Sequence, residues 1–401
     1  MKNWKNKFIL LALGQAVSML TSSILQFAIV WHLTQRTGSP LIVTLSTLAG
    51  FLPRAILGLF SGVLIDRFDR KKILMMSDMA IAFAAFLLSA VAFFGEIPLW
   101  LIFVVLFIRS IGAAFHAPAL NAIVPSIVPK EQLVRCAGIT QGFDSISLIV
   151  SPALAALLYQ FWNLSAIIFL DVIGALVAVS IVSLLQIPSS ISVDKTKKLH
   201  ILQDTKEGLA VIRQERGIAA IFVIGTVYSF IYFPIGSMYP LITMTYFGGS
   251  VADSSIVEIA FSVGTLVGSL LLGILGYRAQ KVYYIIASIA IYGFGVMLTG
   301  LLPPSGLKIF ILLSGIMGLT IPFFHGLRTA IIQSKIPAEY LGRVLSLVYS
   351  MSLFAGPIGL IFGGSFAEFF GVNNCFLICG ILALGLAATL FIMPSVRSIK
   401  L

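Results

Sequence analysis

Charged side chains are scarce inside the apolar runs of this sequence, and the few that occur mark where chemistry could be done: Arg54, Arg109, Asp144, Asp171 and Glu258. A charge inside a membrane-spanning segment is costly and normally faces a partner or a water-filled cavity. A carboxyl group withdrawn from water can change protonation near neutral pH, which is the property that proton-coupled machinery requires. Arg109 and Asp144 fall on neighbouring segments and are expected to pair, with Arg54, directly after Pro53, as the alternative partner of Asp144. Asp78 and Glu368 stand closer to segment ends and are expected at an interface.

Around these charges lie two sets of groups suited to a ligand. The first apolar segment carries Gln15, Ser18, Thr21, Ser22, Ser23 and Gln26, hydrogen-bonding groups without a carboxylate. The second segment adds Phe51, the seventh adds Tyr228, Tyr232 and Phe233, and the eighth adds Phe261. Aromatic rings with hydroxyl tips offer apolar area together with hydrogen bonds, the combination a bulky amphipathic compound needs. An interfacial aromatic belt is the other reading, and it suits Tyr239 and Tyr246 best. Cys136, Cys375, Cys379, His116 and His325 have no metal-ligand spacing, so packing, capping and hydrogen bonding are their expected roles. No phosphate loop, nucleophile elbow or HExxH sequence occurs, so neither catalysis nor ATP hydrolysis is expected, and no cofactor.

The elements that must hold these groups follow from composition. Of 401 residues, 59% are hydrophobic and 10% charged, far below the charged share of about a quarter in soluble domains. Apolar runs predict spans near Phe8 to Leu33, Leu41 to Ile65, Ile73 to Phe94, Leu99 to Ala119, Gly138 to Phe161 and Leu164 to Gln186. After a polar stretch come runs near Ile218 to Phe247, Ile256 to Leu275, Val282 to Leu302, Leu307 to Leu327, Val344 to Phe370 and Val372 to Met393. The expected organisation is thus an all-α polytopic membrane protein with six-helix bundles at 1–186 and 218–401. The linker, 187–217, has the pattern of an amphipathic helix on the membrane face. The basic N-terminus runs into the first span without a small-residue cleavage site, so that segment is expected to be retained. The net charge of +11 resides mostly on one side of these spans. That distribution predicts a topology with both termini and the linker in the cytoplasm and makes nucleic-acid binding unnecessary as an explanation.

The two halves resemble each other. Phe115, Pro129, Glu131, Leu133 and Arg135 recur as Phe323, Pro337, Glu339, Leu341 and Arg343 at a constant offset (323 − 115 = 208). A repeated Pro-x-Glu-x-Leu-x-Arg between the fourth and fifth helix of each half indicates duplication, as in transporters with a midplane site between repeats.

Several motifs resemble the major facilitator superfamily. The dense charge run from Gly62 through Asp66, Arg67, Asp69 and Arg70 to Lys72 looks like its motif A. Phe107 to Ala114, around Arg109, resembles motif B. Gly138, Gly142 and Ser151-Pro152-Ala153 resemble a degenerate motif C, with alanines in place of its second glycine-rich turn. Gly273 to Arg278 echoes motif A in the second half without its aspartate. Further stretches, among them Gly14 to Ser18, Gly50 to Pro53, Pro118 to Ala122 and Glu339 to Val344, are similar to the macrolide-efflux (Mef) branch of the drug/proton antiporters. The resemblance implies a twelve-helix transporter of a bacterial inner membrane, acting as a monomer. It would export macrolides or similar amphipathic drugs by proton antiport with alternating access, using the proton gradient as its energy source. It also implies a cytoplasmic latch in which Asp66, with Gly62, Arg67 and Arg70, meets the eleventh helix near Gly342 and Arg343. Export or flipping of a native metabolite or lipid, such as a lysophospholipid or a siderophore, is the rival function. A non-transporting membrane receptor is the remoter one.

Overall fold

The computed structural model describes residues 4–129, 132–186, 209–275, 281–336 and 338–394, and the regular structure in them is helical throughout. Twelve long helices follow one another: α1 (Trp4–Thr37), α2 (Pro40–Arg67), α3 (Arg70–Phe94), α4 (Leu99–Ile127), α5 (Leu133–Phe161), α6 (Leu164–Leu184), α7 (Arg216–Ser237), α8 (Val251–Leu275), α9 (Lys281–Leu301), α10 (Leu307–Lys335), α11 (Ala338–Phe370) and α12 (Val372–Ile392). Ten described helices are long and apolar enough to cross a membrane, and α5 and α11 each add a shorter apolar stretch, Ile149–Phe161 and Phe354–Phe370. Since about 20 residues suffice for a bilayer core, the 29 of α5 and the 33 of α11 reach across as well. The chain is a multi-pass, all-α membrane protein.

Local sequence explains where the helices stop and start. Thr37-Gly38-Ser39-Pro40 joins α1 to α2: Gly38 has φ +59, its N–H bonds Thr34 O at 2.9 Å, and Pro40 opens the next helix where no N–H is needed. Asp69 caps α3, accepting from the N–H groups of Lys71 at 2.9 Å and Lys72 at 3.4 Å. Asn163 caps α6 through Ala166 N at 2.9 Å. The predicted seventh span proves to be broken. After Pro234 the chain leaves α7 at Ser237, makes one turn over Tyr239–Leu241 and then a wider π-helical turn over Ile242–Tyr246, because Pro234 and Pro240 each withdraw a backbone donor. Several helices are longer than their apolar runs, α4 and α10 among them. Helix α4 continues from the expected Ala119 to Ile127, and α10 from the expected Leu327 to Lys335.

The helices pack as two compact units, Met1–Leu33 with Ser46–Lys197, and Thr34–Leu45 with Lys198–Leu401. In the first, α3 lies against α4 and α6; in the second, α9 lies against α10 and α12, the same pairing six helices later. Small residues permit the close approaches. A side chain at Gly264 or Gly268 of α8 would strike the backbone of α10 at Gly315 and Leu319, and one at Gly380 of α12 would strike α9 at Met297. This is the small-residue packing expected of helices that gain nothing by hiding apolar surface from lipid. The segment 187–208 of the expected linker lies outside the described residues. Its continuation is a short helix that buries Ile212 against Ile218, Phe222 and Ile332 and leaves Arg213 exposed.

Candidate functional site

Within the first unit, α1 to α5 wall a cavity of about 870 Å³. Gln15, Ser18, Ser22, Ser23 and Gln26 line it from α1, and Leu11, Met19, Ile81, Leu106 and Phe143 supply apolar wall. Arg54, Asp78, Arg109, Ser110 and His116 bring the polar and charged groups. Apolar wall combined with convergent polar groups is the general form of a small-molecule site, and here the polar share is large.

Arg109 enters from α4 and donates through Nη1 to Asp171 Oδ2 on α6. The Asp171 side chain is fully buried and that of Arg109 is 10% exposed. The other carboxylate oxygen, Oδ1, accepts from Ser22 Oγ at 2.6 Å and Thr21 Oγ1 at 3.4 Å. Three helices therefore meet on one carboxylate, which is the degree of satisfaction a buried charge needs. Gly174, one turn after Asp171, makes the approach possible: a side chain there would occupy the position of Thr21. Next to Arg109, Ser110 Oγ accepts from Arg54 N at 3.0 Å, one residue after Pro53 interrupts the backbone ladder of α2.

A second polar group lies on the same cavity wall. His116 Nε2 is 2.8 Å from Gln15 Oε1 and 3.2 Å from Asp78 Oδ1. Both neighbours are acceptors, so Nε2 carries a proton. Asp78, expected at an interface from its place in the sequence, is 2% exposed. Gly112 presses α3 onto α4, with Ile81 and Ser77 where its side chain would be, and so brings Asp78 beside His116, one turn further along α4.

The structure distributes the remaining expected residues as follows. The described carboxylate partner of Arg109 is Asp171; the side chain of Asp144, expected there, lies outside the described residues. So do those of Gly62, Asp66, Arg67, Gly342 and Arg343, and with them the expected latch. Arg70, also expected in the latch, donates to Ala122 O at 3.1 Å inside its own unit. Lys71 Nζ bonds Ser183 O at 2.8 Å and Leu185 O at 2.9 Å, and Lys7 Nζ bonds Gln186 O at 3.0 Å, placing cations on the carbonyl end of α6. Glu368 accepts from Ser39 Oγ at 2.6 Å and Leu41 N at 3.1 Å at the start of α2.

Phe51 neighbours the lining residue Gly50 on α2 without lining the cavity itself. Tyr228, Tyr232, Phe233 and Phe261 belong to ring clusters of the second unit, outside this cavity. Tyr228 packs on Phe324 with ring centroids 4.3 Å apart and on Tyr292 at 5.6 Å, and Tyr232 packs on Phe233 at 5.9 Å. Tyr239, expected in an interfacial belt, is 2% exposed among Phe261, Phe310 and Phe376. Tyr246 donates to Leu302 O at 2.7 Å. Glu258 is half-buried and has no hydrogen bond or ion pair among the described residues. Arg328, just past the apolar run of its helix and so without a signal in hydropathy, is 6% exposed, lies over the Phe324 ring at 5.1 Å, and has no carboxylate partner among the described residues. Nor is there a metal-binding cluster among them.

Comparison with known proteins places this geometry in context. Residues 4–401 match the family described as transmembrane secretion effector, MFS_3. Macrolide efflux protein A of Streptococcus pyogenes is 47% identical over 399 residues, covering 100% of this chain and 98% of that protein. Macrolide efflux protein A of Enterococcus faecalis is 49% identical over 323 residues, covering 80% of this chain and all of the relative. Among solved structures, the nucleoside transporter NupG aligns with a TM-score of 0.76 at 13% identity, covering 96% of this chain and 98% of that one. At that identity the likeness establishes the fold alone. These similar proteins are transporters.

Proposed function

The chain belongs to the transmembrane secretion effector family of the major facilitator superfamily, and on that premise we propose that it is a secondary active exporter of macrolides or similar bulky amphipathic drugs, driven by exchange for protons. What carries the proposal is a buried, multiply bonded ion pair, Arg109–Asp171, in and behind the wall of an 870 Å³ cavity, in a chain 47% identical from end to end to a macrolide efflux protein.

Asp171 is the proton acceptor in this reading. Ionised, it holds α4 through Arg109 and α1 through Ser22 and Thr21. Protonated, it loses its charge, releases Arg109 toward the cavity and loosens the junction of α1, α4 and α6. A ligand shifts such an equilibrium only by binding the two states with different affinity. A drug that prefers the cavity with Arg109 withdrawn, and a proton that prefers it released, are therefore reciprocally linked. Arg54, Asp144 and Glu258 are further places at which a proton could act. The protein resides in the bacterial cytoplasmic membrane with both termini inside, the orientation its lysines and arginines favour. It works as a monomer by alternating access, and Asp66 latches onto the start of α11 near Gly342 and Arg343.

The test is accumulation of a labelled macrolide in energised cells making wild type or Arg109→Ala, with and without a protonophore. The expected result is low accumulation only with wild type and an intact gradient. Equal accumulation in all four conditions, with both proteins in the membrane, would remove macrolides and leave a native metabolite or lipid as cargo.

A further inference from the structure

The Arg109–Asp171 junction leaves a second group in the same cavity unused. Asp78 and Gln15 are 2% and 7% exposed, and each has one buried polar atom without a hydrogen-bond partner, Asp78 Oδ2 and Gln15 Nε2. Both residues line the cavity, and His116 lies between them, its Nε2 within reach of Asp78 Oδ1 and Gln15 Oε1. A buried unsatisfied acceptor and a buried unsatisfied donor are expensive unless a partner arrives. Here His116 ties one oxygen of each side chain in place, so Asp78 Oδ2 and Gln15 Nε2 remain as the unpartnered polar atoms of two residues that line the cavity.

We propose that Asp78, Gln15 and His116 form a recognition subsite for an organic ammonium ion that carries a hydroxyl or carbonyl oxygen next to its amine. Asp78 Oδ2 takes the ammonium N–H, and the Gln15 amide donates to the neighbouring oxygen. His116 positions both and touches neither ligand atom. The cations of the cavity do not oppose this assignment. Arg109 is neutralised by Asp171 and stands two helical turns from His116, about 10 Å along α4, and Arg54 is exposed. The inference rests on the reading of this cavity as the drug site and names the chemistry that selects the drug.

The test uses the purified full-length chain and three matched probes: a lipophilic amino alcohol, the same amine without the hydroxyl, and the same alcohol without the amine. Calorimetric titration of wild type should show the amino alcohol binding at least about tenfold tighter than the neutral alcohol, the range of a hydrogen bond to a charged group. Asp78→Asn should abolish that preference and leave the neutral alcohol within about twofold. Gln15→Leu should weaken the amino alcohol about threefold or more, the effect of a neutral hydrogen bond, and leave the deoxy amine unchanged. Equal affinity of wild type for charged and neutral probes would overturn the subsite, as would an Asp78→Asn variant that loses all three alike. Should Asp78→Asn fail to fold, Gln15→Leu decides alone, and an unchanged preference for the hydroxyl would overturn the proposal. A macrolide serves as a fourth probe. If wild type discriminates among the three amphiphiles but neither binds nor moves the macrolide, the macrolide reading falls and the subsite stands.

Discussion

Two arginines buried in corresponding helices of the two units show opposite solutions to one physical problem. Arg109 of α4 meets a carboxylate that is itself bonded by Ser22 and Thr21, beside a cavity. Arg328 of α10 meets an aromatic face, Phe324 at 5.1 Å, and its Nε is buried without a partner. The first unit compensates charge with charge and stays polar inside. The second sets its charge against a ring, Phe324, which packs on Tyr228, itself in contact with Tyr232 and Tyr292. A duplicated scaffold thus keeps its helix pairings while its halves diverge in chemistry.

The contrast can be broken most forcefully at its compensated end. Asp171→Ala strands Arg109 in a buried site and should destabilise the protein by about 3 to 5 kcal/mol, seen as a lower thermal midpoint in detergent and as lost efflux. Arg328→Met removes an uncompensated charge and should leave the midpoint no lower than wild type, since a hydrophobic replacement of a buried ion is often neutral or stabilising. A drop as large as that of Asp171→Ala would mean that Arg328 is paired after all.

Finer substitutions sharpen the same comparison. Gly174→Val forces α1 off α6, where Thr21 now sits, and should cost about 1 to 3 kcal/mol by overpacking while weakening efflux. Ser22→Ala removes the 2.6 Å bond to Asp171 and should cost about 1.5 to 3 kcal/mol. Thr21→Val, with its 3.4 Å contact, should cost clearly less than Ser22→Ala in the same thermal measurement. Smallest is Asp69→Ala, which removes the cap of α3 and should lower stability by about 1 kcal/mol with transport retained. Loss of transport there would move Asp69 into the latch.

Much of this was legible in the sequence because the bilayer imposes strong patterns. The spans were readable from hydropathy, and Arg109 and Asp171 stood out because charge is scarce in apolar runs. The polar face of α1 was readable too: Gln15, Ser18, Ser22 and Gln26 all reach the cavity. Pairing was not legible, since apolar periodicity says which helix carries a charge but not which helix it faces; the described carboxylate partner of Arg109 is Asp171. Arg328 did not stand out because the apolar run of its helix ends at Leu327. Apolar runs measure lipid thickness, whereas α10 continues past it into polar sequence. Arg328, seven before the end of α10 (335 − 328), therefore lies deeper in packed helix than hydropathy indicates. The aromatic residues of α7 carried the right signal for rings that gather but not for what they gather around, because packing and ligand contact select the same side chains.

The most direct test of proton exchange at Asp171 is transport in vesicles containing the purified protein, with a pH gradient imposed and both labelled macrolide and lumenal pH followed. Protein-free vesicles correct for passive partitioning of a weak base. Wild type should show gradient-dependent macrolide movement with opposite proton flux, and Asp171→Asn neither above the protein-free level. Macrolide movement by Asp171→Asn with the wild-type dependence on the gradient would contradict proton exchange at that residue.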